Sequence, residues 1–63
     1  MIKFTLKSAR VQAGYTIRVA SKLIGCHFVT LARWEANPKM VKAKNQEAIA
    51  TVYEIPIDQI KWE

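Results

Sequence analysis

The side chains of this sequence that are able to do chemistry are few, and most of them are basic. One cysteine, Cys26, adjoins the one histidine, His27, and the five carboxylates are scattered along the chain. These side chains do not form the combination of nucleophile, base and orienting group that covalent catalysis requires. The sequence also has no glycine-rich phosphate-binding loop. A structural zinc site and a disulfide would each need further cysteine or histidine residues. We therefore expect a protein that is not an enzyme, with no catalytic residues, no metal, no cofactor and no small-molecule substrate.

The remaining chemistry is that of positive charge, and it is concentrated in one part of the chain. The net charge is +5, and from Lys7 to Lys44 eight lysines or arginines accompany a single acid, Glu35. From Asn45 onward four acids accompany only Lys61. Such asymmetry suits a polyanionic partner. Because the apolar runs fall far short of the roughly 20 residues that span a bilayer, and no secretory leader opens the chain, we expect a soluble cytoplasmic protein with no membrane contact.

The basic residues must be positioned by helices, and the first of these is marked by apolar spacing and a glycine. Leu6, Ala9 and Ala13 share one helical face. Gly14 suits the left-handed residue that often follows a helix. These features predict a first helix over residues 6–13.

A second helix and a third are separated by a very short turn. Thr16 has the hydroxyl of an N-cap, and Gly25 ends a second helix over residues 17–24. The side chains expected to point inward from it are Ala20, Leu23 and Ile24. Because only Cys26 and His27 follow Gly25 before the next helical pattern, the two helices are predicted to form a helix-turn-helix.

The third helix has an apolar face and a clear end. Leu31 and Trp34 face the core, and Asn37, which tolerates a left-handed conformation, ends the helix before a proline. A basic connector over residues 39–44 then leads to a fourth helix over about 44–53.

The last predicted element begins at a proline. Pro56 suits the start of a short fifth helix, with Ile57 and Ile60 facing one way. The sequence therefore predicts an all-α fold, a compact bundle of five helices in a single domain over residues 1–63.

In its order and spacing, the chain resembles the Xre/Cro type of phage-repressor DNA-binding domain. The segment TLARWE, residues 30–35, is similar to the ending TxSRWE that is frequent in that family's recognition helix. The short length and the lack of a second domain make the resemblance closest to a small Cro-like phage regulator. The other matching residues are Leu6, Ala9, Arg10, Ala13, Gly14, Tyr15, Thr16, Ala20, Leu23, Ile24, Gly25 and the segment Ile55 to Ile60.

This resemblance implies that the third helix lies in the major groove of DNA. Arg33 has the fork of N–H donors that grips guanine O6 and N7, whereas Phe28 and Val29 offer apolar contact to thymine methyls. The residues implied to contact bases are His27, Phe28, Val29, Ala32 and Arg33. The residues implied to contact phosphates are Thr16, Ile17, Arg18, Asn37, Lys39, Lys42 and Lys44. Arg10 and Glu35 match a structural ion pair of the family.

Four further side chains have a structural interpretation in addition to, or instead of, a functional one. Cys26 is expected to be a buried packing thiol. His27 is either the N-cap of the third helix or a phosphate ligand. Trp34 is expected in the core. Trp62 covers the fifth helix, packs on Phe4 or contributes to a dimer contact.

Three positions depart from the family's usual pattern. Ile17 stands where the family usually has glutamine, and Phe28 and Val29 stand where it has polar residues. This apolar start of the third helix forms few hydrogen bonds to bases. It therefore favours either indirect recognition of DNA shape or contact with a protein.

The leading interpretation is a sequence-specific DNA-binding transcriptional regulator that reads double-stranded operator DNA as a homodimer. The alternative is an antirepressor or modulator, or an excisionase-like protein, that uses the apolar start of the third helix to bind another phage regulator. Either protein would act in the bacterial cytoplasm, associated with the nucleoid when bound. Apolar content alone suggests a dimer surface formed by Ile2, Phe4, Ile60 and Trp62.

Overall fold

The computed structural model describes residues 3–63 of the chain. It contains four α-helices, α1 (Leu6–Ala13), α2 (Ile17–Ile24), α3 (Phe28–Ala36) and α4 (Ala43–Tyr53), and two 3₁₀ helices, Pro38–Met40 and Ile57–Gln59. The predicted all-α class is confirmed. The predicted count of five helices is not, because the segment after Pro56 forms a single 3₁₀ turn. None of the described helices is long and apolar enough to cross a membrane.

Local chemistry explains the ends of α1 and α2. The Oγ1 atom of Thr16 accepts a hydrogen bond from the Val19 amide at 3.2 Å and so caps the start of α2. Gly14 and Gly25, which end α1 and α2, have φ values of 87° and 95°. These values lie in the left-handed region, where a side chain would meet the following carbonyl. The predicted bounds of both helices are confirmed.

The core is formed by all four α-helices and by the chain segments that follow α3 and α4. Leu6, Leu31, Ile49 and Ile60 are the largest fully buried side chains. Helix α2 packs against α3 and α4, and α1 packs against the same two helices. The buried hydrophobic residues are Leu6, Ala9, Ala20, Leu31, Val41, Ile49, Tyr53, Ile55 and Ile60. Thus α1 and α4 support the pair α2–α3 from behind.

The two ends of the described chain are held together by hydrogen bonds. The Phe4 amide donates to the Gln59 carbonyl at 2.8 Å, and the Lys61 amide donates to the Phe4 carbonyl at 2.7 Å. This isolated bridge places the Ile60 side chain in the core, where it is 1% exposed. The expected dimer surface is therefore wrong at Ile60, and Ile2 lies outside the described residues.

Trp62 covers the last 3₁₀ helix, one of the roles open to it from the sequence. Its indole N–H donates to the Ile57 carbonyl at 2.9 Å, and the ring packs partly against the core. Ile57 is 38% exposed whereas Ile60 is buried, so the prediction that these two side chains face one way is wrong. Ile60 follows the 3₁₀ helix and has extended backbone, with φ −109° and ψ 136°, so its side chain does not continue the helical face of Ile57.

Helix α2 directs a different set of side chains inward from the set that was predicted. Ala20 and Ser21 are buried, and Ile17 and Ile24 are half-buried against the core. These four positions follow the i, i+3, i+4, i+7 spacing of a single helical face. Leu23 lies off that face and is 54% exposed, so its predicted inward position is wrong.

The segment between α3 and α4 also differs from the prediction. Asn37 ends α3 with φ −144°, outside the left-handed region that was expected, and Pro38 begins a 3₁₀ helix. Helix α4 begins at Ala43, so Lys44 lies within its first turn and not in a connector. The left-handed residue of this half of the chain is Glu54, at the end of α4, with φ 54°.

Candidate functional site

Helices α2 and α3 form a tight two-helix unit around residues 25–27. The amides of Gly25 and Cys26 both donate to the Ser21 carbonyl, at 2.8 and 2.9 Å. The Ser21 side chain is buried, and its hydroxyl donates to the Arg18 carbonyl at 2.9 Å. The turn therefore closes on the last turn of α2 and fixes where α3 starts.

Helix α3 has one face in the core and one face in solvent. Leu31 is fully buried, and Trp34 packs partly against the core as expected. On the other side Val29, Ala32 and Arg33 are exposed, Val29 by 43%. Three of the five side chains implied to contact bases therefore share an open face of α3.

The imidazole of His27 caps the start of α3. Its Nδ1 atom accepts a hydrogen bond from the Val29 amide at 3.2 Å, which requires Nδ1 to carry no proton. In the neutral ring the proton is then on Nε2, and the side chain is exposed. The capping role open to His27 from the sequence is thus present. It leaves a donor, Nε2–H, available to a ligand.

The Phe28 ring contacts one side chain from the turn and one from α2. Its ring is stacked on the His27 imidazole, with centroids 4.5 Å apart and planes 27° apart. The guanidinium carbon of Arg18, on α2, lies 4.2 Å from the centroid of the same ring. This is a cation–π contact. The sequence assigned Arg18 to a phosphate and Phe28 to a base, whereas the structure brings the two side chains together.

An open cleft lies along this cluster, between α2 and the turn. The side chains around it carry two positive charges and no negative charge, and they include the one thiol. Burial raises the pKa of the Cys26 thiol, which favours its protonated form. Cys26 is half-buried and packs against the core, as a structural thiol does. The residues lining the cleft are Arg18, Val19, Ser21, Lys22, Cys26, His27 and Phe28.

Arg10 and Glu35 form an ion pair that joins α1 to α3. The Arg10 Nε atom donates to Glu35 Oε2 at 2.7 Å, and Nη2 donates to Oε1 at 3.4 Å. A third donor, Nη1, is bonded to the Tyr15 carbonyl at 3.0 Å. Each side chain is 11% exposed. Because loss of one partner would leave a largely buried charge, at a cost of roughly 3–5 kcal/mol, this pair holds α3 in place.

The residues implied to contact phosphates lie near the starts of helices. Thr16 and Ile17 form the start of α2, and Lys42 and Lys44 form the start of α4, where no side chain caps the first turn. No acid lies in the first turn of any of these four α-helices. Asn37 and Lys39 are exposed, Asn37 just before the 3₁₀ helix that packs against α3 and Lys39 within it. Two helix starts thus offer backbone amides without a competing carboxylate.

A comparison with protein families shows what this arrangement is similar to. A model of the helix-turn-helix family matches residues 6–60, a range that includes every α-helix and both 3₁₀ helices described above. No curated protein and no solved structure matches the chain significantly.

Proposed function

Because the chain belongs to the Xre/Cro type of helix-turn-helix family, a family of DNA-binding regulators, we propose that it is a sequence-specific transcriptional regulator of the phage Cro or repressor kind. It reads operator DNA with α3 in the major groove. The observation that supports this most strongly is the exposed face of α3, where Val29, Ala32 and Arg33 have no protein neighbour burying them.

The start and middle of α3 meet the base edges. Arg33 supplies the fork of donors that fits guanine O6 and N7. Val29, Ala32 and the outer edge of Phe28 contact thymine methyl groups. The Nε2–H of His27 donates to a base or phosphate acceptor at the start of the helix.

The sugar–phosphate backbone is bound at two helix starts and at the segment between α3 and α4. The free amides at Thr16 and Ile17 meet one phosphate, aided by the positive end of the α2 dipole. Lys42 and Lys44 contact a second phosphate at the start of α4. Positive charges at the positive end of a helix dipole are unfavourable unless an anion is bound there. Asn37 and Lys39 complete this set.

Binding to a randomised DNA pool, followed by affinity measurements at fixed salt, tests the proposal. Arg33→Ala should relax the preference at one base pair, at a cost of about 1–3 kcal/mol. Lys42→Ala should instead weaken binding to all sequences alike and lower the salt slope by about 1. Lys61→Ala, which removes a lysine from the acidic end of the chain, serves as the control and should change neither. Equal affinity of the wild type for selected and random DNA would contradict the proposal.

The protein binds its operator as a homodimer. A single module buries only about 600–1,000 Å² on DNA, which limits affinity, and two protomers on two half-sites overcome that limit. A DNA partner also places the protein in the bacterial cytoplasm, on the nucleoid when it is bound.

A second candidate is an antirepressor or modulator that binds another phage regulator. It is favoured by the exposed apolar side chains of the two-helix unit, Val19 and Leu23 on α2 and Val29 on α3. Exposed apolar groups of this size often mark a protein interface. Release of a repressor from its DNA by the purified protein, without binding of the protein to DNA, would support this candidate. Strong DNA bending without base preference would support an excisionase-like role.

A further inference from the structure

The contact between Arg18 and Phe28 indicates a role for Arg18 that a simple phosphate contact does not require. We propose that Arg18 is a specificity-determining residue: its guanidinium, held over the face of the Phe28 ring, reads a guanine in addition to the one read by Arg33. This inference rests on the proposed function, since it assigns part of the base recognition to α2.

The contact with Phe28 restrains the position of the guanidinium. Its central carbon lies 4.2 Å from the Phe28 ring centroid, and the ring is itself stacked on the His27 imidazole at 4.5 Å. All five N–H donors of a guanidinium lie in its plane and point outward from its edge. The contact with the ring therefore holds the guanidinium in place without occupying its donors.

Within the described part of the chain, the donors of Arg18 have no protein acceptor. Over residues 3–63 the one ion pair is that of Arg10 with Glu35, and no hydrogen bond from the Arg18 side chain to the protein is present. The two arginines contrast clearly: Arg10 is largely buried and bonded to Glu35 and to the Tyr15 carbonyl, whereas Arg18 is exposed. The fork of Arg18 is thus available to a ligand.

The position of Arg18 over the Phe28 ring favours a base over a phosphate as the ligand of Arg18. Phe28 is the first residue of α3, the end of the helix that meets base edges when a helix-turn-helix binds DNA. The cleft beside the stack is lined by Lys22 and by no acid. Guanine O6 and N7 form a pair of acceptors that a planar fork fits. Because a phosphate also accepts a guanidinium fork, the assignment to a base rests on the position of Phe28 at the start of α3.

Selection from a random DNA pool with four proteins tests this inference. Arg18→Lys keeps the charge but loses the planar fork, and Phe28→Leu keeps an apolar side chain but loses the ring face. Lys22→Ala is the matched control, because it removes a cation from the same helix and the same cleft. Circular dichroism and thermal melts establish that each variant is folded.

We expect the wild type to select a guanine that Arg18→Lys no longer selects, with affinity for that site reduced about tenfold. Phe28→Leu should weaken the preference at the same base pair, and Lys22→Ala should lower affinity for all sequences alike. If Arg18→Lys selects the same motif as the wild type, the inference is overturned, and Arg18 contacts a phosphate instead of a base. A motif altered by Arg18→Lys but not by Phe28→Leu would overturn the role of the ring. A wild-type pool without any motif would contradict the proposed function itself, and the inference with it.

Discussion

Tyr53 is a residue of the core with a buried hydroxyl group. Its side chain is 3% exposed, and in the described part of the chain the hydroxyl makes no hydrogen bond. Burial, and then the negative charge of Glu35, raise the pKa of Tyr53 well above its ordinary value. An unsatisfied buried hydroxyl costs about 1–3 kcal/mol. Tyr53 therefore stabilises the fold through its ring and not through its oxygen. The centroid of this ring lies 6.3 Å from that of the Tyr15 ring.

Replacing Tyr53 by phenylalanine should raise the free energy of unfolding at neutral pH by up to about 1 kcal/mol. It should also reduce the loss of stability in alkali. Because the pKa is raised on folding, the unfolded chain loses this proton more readily than the folded chain. Stability is therefore unaffected by ionisation of Tyr53 below the ordinary tyrosine pKa of 10.0 and falls as the pH rises above it. Urea denaturation at about pH 7 and about pH 11 measures both effects.

Tyr15→Phe is the control for this prediction, because Tyr15 also packs against the core. If Tyr53→Phe lowered stability at neutral pH, the hydroxyl would have to be bonded in solution.

At the scale of elements, three helices end in a residue with left-handed backbone. Gly14 and Gly25 end α1 and α2, and apart from the glycine and its two chain neighbours a β-carbon built on either would meet no atom of the described residues within 4 Å. Glu54 ends α4 in the same conformation, although it has a side chain. Substitution at these positions therefore changes backbone strain without creating a steric clash.

Two substitutions at these helix ends should change the free energy of unfolding in opposite directions. Gly25→Ala should lower the free energy of unfolding by about 1–2 kcal/mol, because a β-carbon is unfavourable at φ 95°. Glu54→Gly should raise it by up to about 1 kcal/mol, because the same strain is removed at the end of α4. Chemical denaturation measures both changes, with Gly25→Asn as a control expected to cost less than Gly25→Ala. Equal stability of all three variants and the wild type would show that these ends relax without strain.

At the scale of the whole molecule, positive charge and recognition surface lie in the same half of the chain. Helices α2 and α3, Lys39, Lys42 and Lys44 belong to the basic segment, whereas the acids after Asn45 lie on α4 and beyond. Such a distribution orients the molecule toward a polyanion before contact.

The proposed homodimer predicts the spacing of its two half-sites on DNA. A duplex with two half-sites centred roughly 34 Å apart should bind two protomers cooperatively. Insertion of about five base pairs, half a helical turn, should abolish the cooperativity because the second half-site then faces the opposite side of the duplex. Sedimentation and gel shifts on the two duplexes measure stoichiometry and cooperativity. One protomer per duplex, with no effect of the insertion, would contradict the dimer.

The sequence alone determined the helix-turn-helix, since the N-cap at Thr16 and the left-handed glycines involve neighbours a few residues away along the chain. The pairing of Arg10 with Glu35 followed from the resemblance to a known family and not from local pattern. Only the tertiary structure decided which apolar side chains are covered. Leu23 and Ile60 are equally apolar in the sequence, yet one is exposed and the other buried.

The same holds for the candidate site. The contact of Arg18 with Phe28 joins two helices across the turn, and nothing in either residue's local sequence indicates it. Local chemistry sets the ends of helices because caps and turns are short-range interactions. Burial and stacking between helices depend on how the elements pack, and that packing placed Arg18 at the start of α3.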